Sequence, residues 1–187
     1  EGLLSIENPG DYPDRVLHIG APLAAGASRA TFMARLLDLW LGDHDRHDDQ
    51  WRWAEFREKG SGEVVYRPIP RDRDQVFSIM GDGSIGWFLT RFVPAVKKME
   101  GFTPEIRNVR TFNTNGFTLD RALLSQATLE DWLGQAAFIQ GKVTPGLIDS
   151  ALENFPLEVQ DHTPEHIAEI MLQRLQHLQT FARSYFE

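Results

Sequence analysis

Residues 42–74 read GDHDRHDDQWRWAEFREKGSGEVVYRPIPRDRD, and this stretch decides the fold of the chain. WRWAEF and VVYRPI are rich in aromatic and β-branched residues, and the REKGSGE segment between them is polar. This pattern predicts a β-hairpin with a long tip. The hairpin leads out from an acidic loop at 43–50 and returns to a second acidic pair, Asp72 and Asp74. Because both loops lie at the same end of one hairpin, we expect them to face a common space.

A helix is expected immediately before the first acidic loop. Apolar side chains recur at helical spacing over roughly 29–41, Ser28 is suited to cap the first turn, and Gly42 is suited to end the helix. The recurring residues are Phe32, Met33, Leu36, Leu37, Trp40 and Leu41. Residues 1–27 are turn-rich and predicted to be irregular. The alternative that GAPLAAGAS forms a phosphate-binding loop lacks the Walker lysine and a G-x-G-x-x-G spacing.

The chain after the hairpin is predicted to be helical. Thr128 and Asp131 form a capping box before LEDWLGQAAFIQ, a helix that Gly141 is expected to close. Thr-Pro pairs at 144–145 and 163–164 are typical of helix starts. One apolar face of the last helix comprises Ile167, Ile170, Met171, Leu175, Leu178 and Phe181.

The composition is typical of an acidic globular domain, with 42% hydrophobic and 25% charged residues. Acidic residues number 27 against 19 Lys and Arg, so the net charge is −8, which argues against nonspecific nucleic-acid binding. The absence of cysteine excludes disulfides, thiolate zinc sites and cysteine nucleophiles. No apolar run approaches the roughly 18 residues needed to cross a bilayer.

We predict one domain over 1–187, mainly α with a small β-hairpin, in the α+β class. Its parts are an irregular segment (1–27), a unit of helix, acidic loop and hairpin (28–83), and a helical part (84–187). The first residues contain no Met and no signal-peptide pattern. We therefore expect the chain to be a piece of a longer protein, whose remainder would be one of its partners.

The acidic loop allows several interpretations. Its Asp and His donors suit Mg, Mn, Zn or Ca, but it matches neither the H-E-x-x-H nor the EF-hand pattern. A solvated loop, in which Arg46 and the histidines neutralise the acids, is the common case for such a run. Trp51 and Trp53 share one face of the first strand. One alternative is that they stack on a base or sugar. The other, more common for such a pair, is that they belong to the core.

The spacing of the two loops is similar to that of a phosphotransfer site. Asp45 and Gln50 lie five positions apart and Asp72 follows the hairpin, as in the H-R-D-x-x-x-x-N loop and the later metal-binding Asp of protein kinases. GDHDRHDDQW together with IPRDRDQVF resembles the core of atypical kinases of the CotH type, whose second motif is I-P-W-D-x-D-x-x-F. The DRH at 45–47 also resembles the loop of HipA-like and Fam20-type kinases.

This resemblance implies a protein-kinase-like C-terminal lobe that uses Mg or Mn and ATP. By the same resemblance, Asp45 would be the catalytic residue, Gln50 the metal-binding amide and Asp72 the metal-binding Asp. Asp74 would be the second acid of the D-x-D. Gln50 departs from the family's usual Asn and is longer by one methylene, so it keeps the carbonyl donor but changes the metal geometry.

Two further features bear on the resemblance. Arg46 and His47 match the DRH and would support the loop without taking part in chemistry. No N-lobe pattern is found: Lys59 falls in the hairpin tip, and the other lysines follow the motif, at Lys97, Lys98 and Lys142. The N-lobe is therefore expected upstream of these residues, or the domain is a lobe that has lost ATP binding.

Three functions remain open at this point. The first is divalent-cation-dependent phosphoryl transfer, with a nucleotide and a protein substrate as partners. The second is a catalytically inactive, pseudokinase-like interaction module, and the third is a metal-dependent hydrolase. LLSIENPGDYPDRV and DRHDDQWRWAEF are similar to segments of Bacteroidetes-type envelope proteins, which implies an extracytoplasmic location.

Overall fold

The computed structural model describes most of the chain. The described residues are 15–17, 25–57, 61–62, 64–79, 83–93, 96–112, 114–125, 127–156, 158 and 162–187. The predicted NPGDYPD turn and the first part of GAPLAAGAS lie outside them, as does Lys59. In the described part of the chain, no helix is long and apolar enough to span a membrane.

The protein is mainly helical, with a small antiparallel sheet that contains the predicted hairpin. The strands are β1 (Arg15–Leu17), β2 (Trp51–Arg57) and β3 (Val64–Pro70). The helices are α1 (Ala25–Leu41), α2 (Gly83–Phe92), α3 (Val109–Phe112), α4 (Phe117–Leu124), α5 (Leu129–Lys142), α6 (Pro145–Leu152) and α7 (Thr163–Phe186). The α+β class and the hairpin are therefore confirmed.

The sheet has the order β1-β2-β3. In the hairpin, Trp51 pairs with Pro70 and Arg57 with Val64, so the two acidic loops emerge side by side. The prediction that 1–27 is irregular is wrong in two places. Arg15–Leu17 pairs with the free edge of β2, and the first helix already begins at Ala25. A three-residue strand is too short to show an alternating pattern, and it forms because β2 offers an edge to pair with.

Helix α1 is the centre of the molecule. It packs against β3 as well as against α4, α5 and α7, and Leu36 and Leu39 are fully buried. Because α1 begins at Ala25, Ser28 lies inside the helix and is not its cap. Gly42 ends the helix as predicted: its φ is 81°, and its N–H donates to the Asp38 carbonyl at 2.9 Å.

The C-terminal helices begin where the capping box and the Thr-Pro pairs predict, but only α5 and α6 have a capping threonine. Helix α7 begins at Thr163 itself, after His162, and no side chain of the described residues caps it. The Thr128–Asp131 capping box begins α5, and Thr144 accepts a hydrogen bond from Leu147 N at the start of α6. Helix α5 does not close at Gly141 but continues to Lys142, with Val143 as an extended C-cap, because a single glycine is tolerated within a helix. The predicted apolar face of α7 is confirmed as core: Ile167, Ile170, Met171, Leu175, Leu178 and Phe181 are all buried.

Candidate functional site

The first acidic loop begins in the protein interior. The N–H groups of Gly42 and Asp43 both donate to the Asp38 carbonyl, each at 2.9 Å, which turns the chain back over the end of α1. A side chain at Gly42 would bring its Cβ to 2.8 Å from the Phe102 ring. Asp43, His44 and Arg46 are then almost completely buried. The solvated-loop interpretation is therefore wrong for this first half of the loop.

Arg46 joins the two acidic loops. Its Nε and Nη2 donate to the Asp38 carboxylate at 3.1 and 2.9 Å, and Nη2 also lies 2.7 Å from Asp43 Oδ2. Its Nη1 donates to the backbone carbonyls of Arg71 and Asp72, the latter at 3.2 Å. The Arg71 N–H in turn donates to the Gln50 carbonyl at 2.8 Å. The expectation that Arg46 supports the loop is confirmed by these contacts.

The contacts of Arg46 belong to a larger buried ion-pair network. Arg73 Nη1 lies 3.0 Å from Asp38 Oδ1, and Arg35 Nε lies 2.7 Å from Asp120 Oδ1. Arg35 Nη1 also reaches Asp38, at 3.4 Å. The network thus holds three guanidinium groups, from Arg35, Arg46 and Arg73, and three carboxylates, from Asp38, Asp43 and Asp120. Equal numbers of opposite charges allow the group to be buried without a net charge.

Burial acts strongly on the pKa values inside the network. Burial raises the pKa of Asp43 to about 6, with the Asp38 carboxylate adding to the shift and Arg46 opposing it. Burial likewise raises the pKa of Asp120, although Arg35 and the Tyr185 hydroxyl oppose that rise. Burial by itself would lower the pKa of Arg35, but Asp120 and Asp38 more than reverse this and raise it. Burial thus makes Asp43 easier to protonate than an exposed aspartate, while the acidic neighbours of Arg35 hold that guanidinium in the charged form.

Trp51 lies between two of the arginines. Its ring centroid is 5.4 Å from Arg35 Cζ and 5.7 Å from Arg46 Cζ, which is cation–π distance. Trp53 stacks on it with a centroid distance of 6.2 Å and an interplanar angle of 17°. Both rings are buried, so the core interpretation of the pair is confirmed. Neither ring is presented for stacking on a base or sugar.

Gly116 packs against the network although it is 70 positions after Arg46 in the sequence. A Cβ at this position would lie 1.9 Å from Arg35 Nη2 and 2.9 Å from the Arg46 carbonyl oxygen. Only glycine leaves room for both groups. The short 3-10 turn at Thr114–Gly116 therefore packs directly on α1 and on the first acidic loop.

Asp45, the predicted catalytic residue, lies at the edge of the buried part of the loop. Its side chain is 38% exposed. Its Oδ1 accepts a hydrogen bond from Asn115 Nδ2 at 2.7 Å and lies 3.7 Å from Lys98 Nζ. Asn115 and Lys98 were not identified from the sequence, because they lie 70 and 53 positions away from Asp45 and carry no motif of their own.

The three predicted metal ligands, Gln50, Asp72 and Asp74, have different surroundings. The Gln50 side chain is buried, and its Oε1 accepts from the His47 N–H at 3.3 Å. Asp72 is exposed with a left-handed φ of 54°, and Asp74 is exposed and accepts from Gln75 Nε2 at 3.1 Å. Among the described residues, no three His, Asp or Glu side chains form a metal-binding group. The assignment of Gln50, Asp72 and Asp74 to a metal stays a prediction.

The two histidines of the loop, His44 and His47, contact neighbouring protein side chains. His44 is buried with its ring edge-on to Phe112 at 6.2 Å, and burial, followed by the nearby Lys98 charge, lowers its pKa. Its Nδ1 has no hydrogen-bond partner in the described part of the chain. The His47 ring contacts the exposed Asp49 carboxylate. His44 therefore braces the loop from inside.

A pattern in the sequence would have revealed the network. Thr31, Arg35 and Asp38 recur at i, i+4 and i+7 within residues 30–41 of α1, which are otherwise apolar, so they share one face of the helix. All three are fully buried. A polar stripe on a helix whose other faces are apolar indicates an internal polar network. This pattern is weaker than the dense charge of the acidic loop, and the prediction was based on the loop.

No family model matches the chain, and no curated protein or solved structure matches it at a significant level.

Proposed function

We propose that this chain is the catalytic-loop part of a divalent-cation-dependent phosphotransferase, resembling the C-terminal lobe of CotH-type atypical kinases. Asp45 acts on the attacking hydroxyl, and the exposed carboxylates of Asp72 and Asp74 hold the cation. The groups that cradle the nucleotide phosphates come from the rest of a longer protein. The alternative of a metal-dependent hydrolase has no separate observation in its favour.

The observation that carries this proposal is the junction at Arg46. One buried guanidinium binds the interior of the first acidic loop and the backbone carbonyl of Asp72 in the second. The same guanidinium thus holds Asp43, two residues before Asp45, and the backbone of Asp72. Phosphoryl transfer depends on such positioning more than on any one reactive side chain.

The surroundings of Asp45 suit a residue that receives a proton from a hydroxyl. Asn115 and Lys98 both contact Oδ1, while Oδ2 has no hydrogen-bond partner among the described residues. One oxygen is thereby held and the other is left for the substrate. The Lys98 ammonium beside it would also attract a phosphoryl group, since it is a compact positive charge next to the reacting position.

The donor set fits the implied cation in part. Asp72 and Asp74 are exposed carboxylates, the ligands that Mg²⁺ and Mn²⁺ prefer. Gln50 would have to release the His47 N–H before its Oε1 became a ligand. A bound cation would neutralise negative charge on the transferred group. The chain's own contribution is to hold the two carboxylates beside the Asp45 loop.

A non-catalytic interaction module is the second candidate. The observation that favours it is the internal pairing of the loop charges: the three arginines and three acids of the network neutralise each other, and Lys98 pairs with Asp45. A loop of this kind would stabilise the fold without binding a nucleotide. The two candidates differ in what Asp45 and Asp72 contribute.

Phosphate transfer from ATP, with Mg or Mn, tests the proposal in the protein that carries these residues together with its upstream sequence. Asp45→Asn and Asp72→Asn should each reduce the rate by at least about 100-fold, the usual size of a general-base or charge-stabilising contribution. The matched control is Asp49→Asn, an exposed acid of the same loop, which should leave the rate unchanged. Equal rates in all three variants would reject the enzyme and favour the interaction module.

Thermal unfolding of the present chain tests the cation separately. Mn²⁺ should raise the melting temperature by mass action, and Asp72→Asn should abolish this rise while Asp49→Asn preserves it. An equal rise in both variants would mean that the cation binds elsewhere.

A further inference from the structure

A concave site lies at the Asp120 end of the ion-pair network. It is a cavity of about 500 Å³ lined by residues of α4, α5 and α7, with Asp120, Trp132 and Tyr185 among them. This volume is within the range of small-molecule sites. Asp120 connects it to the network, because one of its oxygens is bound by Arg35 and the other accepts from the Tyr185 hydroxyl.

The inner wall of the cavity is aromatic. Trp132 is almost fully buried, and its ring lies 5.3 Å from the Tyr185 ring at an angle of 58°. Phe117 and Phe186 line the same cavity and are 59% and 44% exposed. Four aromatic side chains around one opening, two of them accessible, offer the faces and edges on which a flat apolar ring packs.

One of the charges that line the cavity has no counter-charge beside it among the described residues. Asp120 is already paired with Arg35, and the exposed Arg110 lies 3.9 Å from the Glu187 carboxylate. Arg121 stacks over Phe117, with Cζ 5.5 Å from the ring centroid. No carboxylate lies within ion-pair distance of Arg121 in the described part of the chain. One guanidinium is therefore left without a counter-charge beside the aromatic wall, and guanidinium groups bind carboxylates and phosphates through paired hydrogen bonds.

We propose that the cavity between α4 and α7 binds a small molecule that joins a flat apolar ring to an anionic carboxylate or phosphate group. The ring packs against the accessible faces of Phe117 and Phe186, above the buried Trp132 and the half-buried Tyr185. The anionic group pairs with Arg121 at the opening. This site is separate from the acidic loops and does not depend on their proposed function.

Calorimetry with two simple probes, phenyl phosphate and benzoate, tests this site on the intact chain. At millimolar concentrations both should bind, and phenol, which keeps the ring without the anion, should bind at least about tenfold more weakly, as expected for loss of a charge-assisted pair. Inorganic phosphate alone should also bind more weakly, because it has no ring to pack. Binding of phenol as tight as that of phenyl phosphate would overturn the proposal, as would an absence of binding by both anionic probes.

Two variants locate the binding. Arg121→Gln should weaken both anionic probes by about tenfold or more, whereas Arg91→Gln should not. Arg91 is a matched control, since it is also exposed and also stacks over an aromatic ring, that of Trp87 in α2. Ser125→Phe places a ring in the cavity at an exposed position and should abolish binding while the melting temperature stays close to that of the wild type. Equal weakening by Arg121→Gln and Arg91→Gln would show nonspecific attraction and reject the site.

Discussion

Replacing Arg46 by glutamine should destabilise the protein more than any change in the exposed half of the loop. The guanidinium is fully buried, and it contacts the carboxylates of Asp38 and Asp43, which are at most 2% exposed. Glutamine removes the positive charge but keeps a polar side chain of intermediate length. The variant therefore leaves two buried carboxylates with too few partners.

The size of the loss in the free energy of unfolding depends on which partners the two carboxylates keep. Removing one partner of a buried ion pair costs about 3–5 kcal/mol. Arg73 Nη1 stays 3.0 Å from Asp38 and 3.7 Å from Asp43, which offsets part of the loss. The bonds from Arg46 to the carbonyls of Arg71 and Asp72 are lost as well, at about 1 kcal/mol each. We expect the free energy of unfolding to fall by about 3–4 kcal/mol near neutral pH.

The loss should depend on pH in a defined direction. Burial already raises the pKa of Asp43 to about 6, and removal of a guanidinium 2.7 Å away raises it further. The folded variant then binds a proton that the unfolded chain has released, so the variant gains stability as the pH falls. In the wild type, a fall in pH that stays above pH 6 gives no comparable gain in stability. The difference in the free energy of unfolding between the wild type and Arg46→Gln should therefore be smaller near pH 6 than near pH 8.

Urea denaturation followed by tryptophan fluorescence measures both effects, provided that the m-values of the two proteins agree. Arg110→Gln is the control, because its ion pair with Glu187 is long and both partners are more than half exposed. It should change stability by no more than about 0.5 kcal/mol. A loss of less than about 1 kcal/mol in Arg46→Gln, or a loss that does not vary with pH, would refute the assignment of Arg46 as the centre of the network.

Asp43→Asn should flatten the stability profile between about pH 4 and pH 6 in thermal melts. Folded Asp43 keeps its proton up to about pH 6 and unfolded Asp releases it near pH 3.9, so this group lowers wild-type stability as the pH rises through that window. Gly116→Ala should cost about 1–3 kcal/mol in urea denaturation, since its Cβ would meet Arg35. The 187-residue chain alone should bind ATP weakly and transfer no phosphate in calorimetry and transfer assays with Mg or Mn, because it depends on a phosphate cradle from elsewhere.

Each of these outcomes has a matched comparison. An unchanged pH profile in Asp43→Asn would mean that another acid carries the titration. Gly134→Ala, at a helical position with open space around it, should be neutral or stabilising by up to about 1 kcal/mol, and a similar loss at both glycines would contradict the steric argument. Micromolar binding of ATP by this chain would show that its nucleotide site is already complete.

Local signals in the sequence determined most of the secondary structure. Gly42, the Thr128–Asp131 box and Thr144 set helix ends through contacts within a few residues, and such contacts form wherever the segment lies. The alternating aromatic strands and the polar tip likewise fixed the hairpin and brought the acidic loops together. The errors were local as well: β1 is too short for a pattern, and Gly141 is a helical residue of α5 and not its end.

Only the tertiary structure decided which charges are buried and what holds Asp45. Arg46 and Asp49 stand three positions apart in one charged loop, yet the first is enclosed and the second is exposed. The difference comes from groups outside the loop: Asp38 of α1 binds the Arg46 guanidinium, and Gly116 leaves room for the Arg46 backbone. Burial of a charge requires opposite charges from several elements at once. The polar stripe on α1 indicates that such a network exists, but it does not specify which charges of the acidic loop join it.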